Sequence, residues 1–248
     1  MHSDQTPTLH CNHQNRRGFL KVAGIAIGMG LLIATPVGRL VHAAALTKGQ
    51  RDAMTPDDII ARMKRGNERF RKGKEAAHDY LAQQRASAKG QYPKAVILSC
   101  IDSRAPAEVI MDLGIGDVFN ARVAGNISNH DILGSMEFAC KVAGTKVVLV
   151  MGHTACGAIK GAIDNVELGN LTGLLSKIHP AVDATQYDGE RSSKNYAFVD
   201  AVARKNVELT MEQIRQDSDV LRELESQDAI RIVGSMYNLK TATVEFFG

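Results

Sequence analysis

Apolar positions along the chain fall into short uninterrupted runs and into longer stretches with helical spacing. The runs at residues 94–99 (KAVILS) and 146–151 (KVVLVM) contain few polar side chains, which is typical of strands buried on both faces of a sheet. Further strands are predicted at residues 117–123 (DVFNARV), 229–235 (AIRIVGS) and 241–247 (TATVEFF). The sequence therefore predicts five strands, of which those at residues 94–99 and 146–151 are buried.

Helices are predicted between these strands. The first begins at Thr55, a capping residue, with Pro56 at the first helical position, and its apolar positions continue to Phe70. Shorter helices are predicted at residues 107–113 and 131–143, each followed by a glycine. Strands that alternate with helices predict an α/β fold with a mainly parallel β-sheet flanked by helices. A long amphipathic helix is predicted from the spacing of Val199, Ala203, Val207, Met211 and Ile214.

The first 45 residues have the organisation of an export signal. Residues 16–21 (RRGFLK) precede an uncharged stretch at residues 22–38, and residues 41–45 (VHAAA) contain small-residue cleavage sites. The paired arginines predict a twin-arginine signal peptide, recognition by the twin-arginine export machinery, cleavage near residues 43–45 and a periplasmic protein. The alternative is a membrane anchor. The uncharged stretch is short for crossing hydrocarbon and contains four glycines, so no stable anchor is expected.

The rest of the chain is long enough for a single domain with one substantial core. Residues 46–54 are predicted to be a linker and residues 55–248 a single α/β domain. That remainder, residues 46–248, holds 26 basic and 26 acidic residues. The basic face of the first helix is interpreted as a solvated surface, and no nucleic-acid partner is expected. The four cysteines are too few and too scattered for a disulfide scaffold.

Reactive residues follow both buried runs. Cys100 comes directly after the first run, and His153 and Cys156 follow the second. In open α/β sheets, ligands collect beyond the carboxyl ends of the strands. If the two strands are neighbours, two thiols and an imidazole meet there, and such a set suits Zn²⁺. Three protein ligands leave a fourth position for water or for Asp102, as in catalytic zinc sites.

Other interpretations of these motifs are weaker. Gly152 and Gly157 have the spacing of a P-loop, but Ala158 stands where the lysine belongs. A disulfide between Cys100 and Cys156 is an alternative in an oxidising compartment. Cys140 is interpreted as a core residue of its helix.

The motif C-x-D-S-R at residues 100–104, followed by H-x-x-C at residues 153–156, resembles the β-class carbonic anhydrases. The resemblance extends from about residue 55 to residue 248. It implies the β-carbonic anhydrase fold, one Zn²⁺ per chain and the reversible hydration of CO₂ to bicarbonate and a proton. Family members form dimers that often pair further, so a homodimer or homotetramer is expected.

The resemblance also assigns roles. Cys100, His153 and Cys156 are expected to hold the zinc ion. Asp102 and Arg104 form a dyad in the family, in which Arg104 holds Asp102 and Asp102 orients a zinc-bound hydroxide towards CO₂. Release of Asp102 by Arg104 would let it become the fourth zinc ligand, and the sequence does not decide between the two forms. Substrate-binding residues implied by the resemblance are Gln91, Ile97, Phe119, Ala124, Gly125, Phe138 and Gly157.

The sequence leaves the proton shuttle and two alternative functions open. His130 and His179 are candidates for the proton shuttle, each with the alternative of an ordinary surface histidine. A different substrate is the first alternative function, since relatives hydrolyse carbonyl sulfide or carbon disulfide with the same kind of site. A zinc-stabilised binding module without turnover is the second, and the dyad argues against it because a structural zinc site has no need of one.

Overall fold

The computed structural model describes residues 41–42 and 45–248, so the predicted signal peptide lies almost entirely outside the described residues. Strands within this part are β1 (Val41–His42), β2 (Ala77–His78), β3 (Ala95–Ser99), β4 (Val118–Arg122), β5 (Val147–His153), β6 (Arg231–Tyr237) and β7 (Val244–Phe247). The helices are α1 (Lys48–Asp52), α2 (Pro56–Arg71), α3 (Tyr80–Ser87), α4 (Ala107–Ile110), α5 (His130–Glu137), α6 (Gly157–Ile163), α7 (Gly169–Leu175), α8 (His179–Ala184), α9 (Tyr196–Asp217) and α10 (Asp219–Ser226).

Five of the strands form one sheet in the order β4-β3-β5-β6-β7. The first four are parallel, and β7 runs antiparallel to β6 at the edge. The predicted α/β fold with a mainly parallel sheet is confirmed. In β3 and β5, Ser99 pairs with Met151, so the carboxyl ends of these two central strands lie side by side. A separate short pairing joins β1 to β2.

Two hydrophobic cores cover the two faces of the sheet. Val96 and Leu98 point into the core beneath α9, and Ile97 points into the opposite core, beneath α2. This follows from the alternation of side chains along a strand. The apolar stripe of α2, including Ile59 and Met63, packs against this second core of its own domain.

Several helices begin, end or occur differently from the prediction. The helix expected at residues 131–143 ends as α5 at Glu137 and continues as a π-helical turn over Phe138–Val142. The segment predicted as a linker contains α1, whose Arg51 is buried and donates a hydrogen bond to the carbonyl of Ala143 at 2.5 Å. Besides α1, four helices of the described part were not predicted (α3, α7, α8 and α10), because each is at most eight residues long and offers few turns of periodicity. No helix among the described residues is long and apolar enough to cross a membrane.

A buried carboxylate ties α2 to the loop that follows α4. Asp112 has a side chain that is 1% exposed. It accepts hydrogen bonds from Arg69 Nε at 2.5 Å and from the Ala76 amide at 3.0 Å, and its Oδ1 lies 2.9 Å from His78 Nε2. Burial raises the pKa of this carboxyl, but the hydrogen bonds outweigh burial and the net shift is downward.

The stability of the fold is expected to depend on this carboxylate. Because the pKa of Asp112 is lower in the folded chain than in the unfolded chain, its contribution is complete above the unfolded pKa of about 3.9 and is lost as the pH falls through the lower folded pKa. Asp112→Asn should lower the free energy of unfolding at pH 7 by about 2 kcal/mol, since it replaces the charge-assisted hydrogen bonds of a buried carboxylate by the weaker ones of an amide. Urea unfolding at pH 7 and at pH 3 tests both points. Asp219→Asn is the control, because that side chain is 89% exposed and should change stability little; equal stability of the two variants would contradict the prediction.

Candidate metal centre

The three predicted ligands meet at the carboxyl edge of the sheet. Cys100 directly follows β3, His153 is the last residue of β5, and Cys156 immediately precedes α6. Since β3 and β5 are parallel neighbours, their ends project the three side chains into one place. Their ligand atoms all lie within 4.8 Å of one another, and all three residues are buried.

The spacing of the two sulfur atoms fits a tetrahedral metal ion. Cys100 Sγ and Cys156 Sγ are 4.0 Å apart. Two sulfur ligands at about 2.3 Å from a zinc ion stand about 3.8 Å apart at the tetrahedral angle. The observed separation is about twice the length of a disulfide bond, and both cysteines are free. The arrangement favours a shared metal ion over the alternative disulfide.

The orientation of His153 leaves one ring nitrogen available for a metal. His153 Nδ1 lies 2.9 Å from the carbonyl oxygen of Thr154, a contact in which the nitrogen must donate. This fixes the tautomer and leaves a lone pair on Nε2. Nε2 is buried and has no hydrogen-bond partner among the described residues. A buried polar atom without a partner is costly, and a metal ion in the cluster would supply the missing interaction.

The two thiols differ in acidity because they lie in contact. A hydrogen bond from the Cys156 thiol lowers the pKa of Cys100 to about 4, with help from the Gly125 amide, which donates to Cys100 Sγ at 3.4 Å. The same shared proton, together with burial, raises the pKa of Cys156. One thiolate is therefore already present at neutral pH, and a cation entering the cluster would displace the remaining proton.

Asp102 and Arg104 form a bidentate ion pair beside the cluster. Arg104 donates from Nε to Asp102 Oδ1 at 3.0 Å, from its terminal nitrogen to Oδ2 at 2.8 Å and from its backbone amide to Oδ1 at 2.9 Å. These hydrogen bonds lower the pKa of Asp102 to about 2. Asp102 Oδ2 also lies 3.8 Å from His153 Nε2. The carboxylate is therefore ionised, held by Arg104 and next to the metal ligands.

Arg122 fixes the loop between Cys100 and Asp102, a role that the sequence analysis did not identify. From the end of the neighbouring strand β4, it donates to the carbonyl of Cys100 at 2.9 Å and to that of Asp102 at 2.6 Å. The sequence signal was its position at the end of a strand next to β3, but the contact is to backbone and no spacing reveals it.

Five of the seven predicted substrate-binding residues fall into two groups, one at the strand ends and one formed by two phenylalanines. Gly125 contacts Cys100, and with Ala124 it belongs to a 3-10 turn at the strand ends; Gly157 opens α6 beside Cys156. Phe119 and Phe138 contact each other edge to face, with ring centroids 6.2 Å apart.

The two phenylalanines border a cavity of about 650 Å³ that also contacts Val96 and His130. Phe119 pairs with Val96 near the amino end of β3 and lies three residues before Arg122, the last residue of β4. The cavity therefore lies about 10 Å from the carboxyl ends of the strands, since a strand rises about 3.3 Å per residue.

Two predicted residues do not join the centre within the chain. Ile97 is fully buried on the opposite face of the sheet from Cys100, so the prediction that it lines a pocket at this centre is wrong. Gln91 is exposed and precedes β3, whose far end carries Cys100.

The other cysteine and histidine candidates lie apart from the metal cluster. Cys140 belongs to the core, as predicted, and burial raises the pKa of its thiol to about 11. His130 opens α5 beside the phenylalanine cavity, and His179 opens α8.

Comparison with known proteins defines the class of this fold. A β-carbonic anhydrase of Aspergillus fumigatus, CafA, has a similar structure with a TM-score of 0.60, over 77% of this chain and 89% of that one, at 23% identity. One of two tetrameric β-carbonic anhydrases of Sordaria macrospora gives a TM-score of 0.57, over 65% of this chain and 83% of that one, at 24% identity. The fold is that of the β-carbonic anhydrases.

Sequence similarity identifies the family. The family model described as carbonic anhydrase matches residues 95–244. Carbonic anhydrase 2 of Mycobacterium tuberculosis is 34% identical over 183 residues, which cover 71% of this chain and 86% of that protein. A carbonic anhydrase of Mycolicibacterium smegmatis is 31% identical, over 74% of this chain and 89% of that protein. The chain belongs to the carbonic anhydrase family.

Proposed function

We propose that the protein is a zinc-dependent carbonic anhydrase that interconverts CO₂ with bicarbonate and a proton, with one Zn²⁺ per chain. The observation that carries this conclusion is the buried cluster of Cys100, His153 and Cys156 with an ionised carboxylate beside it. A cluster that served only structure would have no use for the Asp102–Arg104 pair. Relatives that are more than 30% identical bear the name carbonic anhydrase, which favours CO₂ over the sulfide substrates.

The metal ligands, Asp102 and Arg104 have separate roles in the reaction. Cys100, His153 and Cys156 would hold a zinc ion, which would supply an activated water as the nucleophile by lowering its pKa towards neutrality. Asp102, held beside these ligands, would accept a hydrogen bond from the nucleophile and so orient it towards CO₂. With a pKa of about 2, Asp102 does not take up the proton at neutral pH, so it orients the nucleophile and another group carries the proton away. Arg104 keeps the carboxylate in place through its two parallel hydrogen bonds.

Stopped-flow CO₂ hydration with zinc content measured on the same sample tests the function. We expect fast hydration at about one zinc per chain, the single site that three ligands define. Sulfide release from carbonyl sulfide and carbon disulfide is measured in parallel. Zinc without hydration would contradict the proposal, and sulfide release in its place would move the assignment to the alternative hydrolase.

We further propose export by the twin-arginine route and a periplasmic mature protein. The support is the RRGFLK segment at residues 16–21 and the small residues before Leu46. Cleavage near residues 43–45 would remove β1 and leave the five-stranded sheet intact. That route carries folded proteins, so the cysteines would leave the cytoplasm already bound to metal and protected from oxidation. The proposal is tested by the mass of the protein in a periplasmic fraction, for the parent and for the double variant Arg16→Lys and Arg17→Lys. A full-length periplasmic protein would refute cleavage.

For the assembled protein we propose a homodimer or a homotetramer. The Sordaria macrospora structures are described as tetrameric. Light scattering on the purified protein gives the mass of the assembly directly, and a monomer at micromolar concentration would refute this proposal.

A further inference from the structure

Helix α9 contacts the turn between His153 and Cys156. Asp200 Oδ1 accepts a hydrogen bond from the backbone amide of Ala155 at 2.8 Å. Ala155 has a φ of 54°, in the left-handed region that residues with a Cβ seldom adopt. This residue directly precedes Cys156. The hydrogen bond from Ala155 therefore supports the unfavourable backbone conformation that brings the cysteine back towards the histidine.

The same helix contacts the turn beside Cys100. Asn206 is 3% exposed, and its Nδ2 donates to the carbonyl oxygen of Gly125 at 2.7 Å. The amide of Gly125 donates to Cys100 Sγ, so this glycine is held between the α9 side chain and the sulfur. The turn is tightly enclosed, because a Cβ at residue 125 would lie only 2.6 Å from Ile178 Cδ1.

Between these two points, α9 packs against the last part of β5. A Cβ at Gly152 would lie 2.7 Å from Val207 Cγ2 and 3.5 Å from the carbonyl oxygen of Ala203. Gly152 directly precedes His153, so the helix lies against the strand at the point where the histidine leaves it. One rigid helix of 22 residues thus touches the chain next to each of the three ligands.

We propose that Asp200 and Asn206 are positioning residues: Asp200 holds the turn that carries Cys156, and Asn206 holds the Gly125 turn that contacts Cys100, so that together they set the separation of the ligands that zinc requires. Neither residue touches the metal position, and each acts through the backbone of one turn. The inference rests on the zinc centre proposed above and adds the residues that set its geometry. Hydrogen-bonding partners behind metal ligands typically change metal affinity by about 10- to 100-fold.

Zinc affinity of the whole protein, measured by competition with a chelator, tests the proposal. Asp200→Ala and Asn206→Ala are each expected to weaken zinc binding by about 10-fold or more. Asp200→Asn keeps an oxygen for the Ala155 amide and should bind zinc almost as the parent does. Glu212→Ala and Gln213→Ala, two exposed positions on the same helix, are matched controls and should leave affinity within about twofold.

A second measurement separates positioning from ordinary stability. With Co²⁺ in place of zinc, the sulfur-to-metal charge-transfer band reports ligand geometry, and it should shift in the two alanine variants and stay unchanged in the controls. Unchanged affinity and an unchanged band in a folded Asp200→Ala protein would overturn the proposal. Should Asn206→Ala fail to fold, the partly exposed Asp200 still decides the question. A parent protein that binds no zinc would instead overturn the proposed function.

Discussion

Replacement of Cys156 by alanine is expected to remove zinc from the protein and to lower CO₂ hydration by at least about 10³-fold at neutral pH, because generation of hydroxide near pH 7 depends on the metal. Cys156 is one of only three ligands in the cluster, and a site with one sulfur and one imidazole holds zinc weakly. The measurements are zinc content per chain and stopped-flow hydration of the same preparation.

Cys140 provides the matched control for this substitution. It is also a buried free cysteine, but it lies in the core and belongs to no metal cluster among the described residues. Cys140→Ala should keep about one zinc per chain and nearly the full hydration rate, at a small cost in stability. Loss of zinc in both variants would mean that folding was impaired in general, and retention of zinc and hydration in Cys156→Ala would refute the ligand assignment.

Replacement of Arg104 by alanine is expected to lower hydration by about 100-fold while zinc is retained, because a displacement of about 1 Å in a catalytic site can cost that much. The variant removes the two side-chain hydrogen bonds to Asp102 and leaves only the backbone amide. The pKa of Asp102 should rise from about 2 towards its ordinary range, so the carboxylate stays ionised at pH 7. The loss would therefore come from orientation: the freed Asp102 lies close enough to His153 to turn towards the metal position.

Two variants sharpen that test. Arg104→Lys supplies a single donor instead of a fork and should retain an intermediate rate. Asp102→Asn keeps the size of the side chain but cannot carry the charge, and should lose as much activity as Arg104→Ala. Hydration at the parent rate in Arg104→Ala, with zinc present, would exclude a role for the ion pair in catalysis.

The metal ligands were predictable because strand ends and motifs are local properties of a sequence. Cys100 and His153 each follow a buried apolar run, and parallel neighbours place such ends together. The prediction for Ile97 failed although the information was present. Cys100 and Leu98 share one face of β3 by alternation, and Ile97 must then point to the other face. A strand buried on both faces lacks the alternation of polar and apolar positions that would mark this difference.

Asp200 and Asn206 were not predictable in the same way. Both lie on α9, far along the chain from the turns that they contact, and the apolar stripe of that helix dominated its pattern. Asn206 gave one usable signal, since it lies four residues after Val202 and three after Ala203, on the face of the helix that packs against the core. Which backbone group satisfies such an amide depends on tertiary packing, and the sequence carries no measure of that.

The separation of the ligands along the chain also makes zinc a reporter of folding. His153 and Cys156 are neighbours in sequence, but Cys100 belongs to a different strand and reaches them only when β3 pairs with β5. Of these three ligands, an unfolded chain keeps only His153 and Cys156 close together, so the complete set is available only in the folded state. Tight binding to that state alone shifts the folding equilibrium by mass action, by about 4 kcal/mol when free zinc exceeds the dissociation constant a thousandfold. Release of zinc into a chromogenic chelator should consequently follow the global unfolding of the sheet.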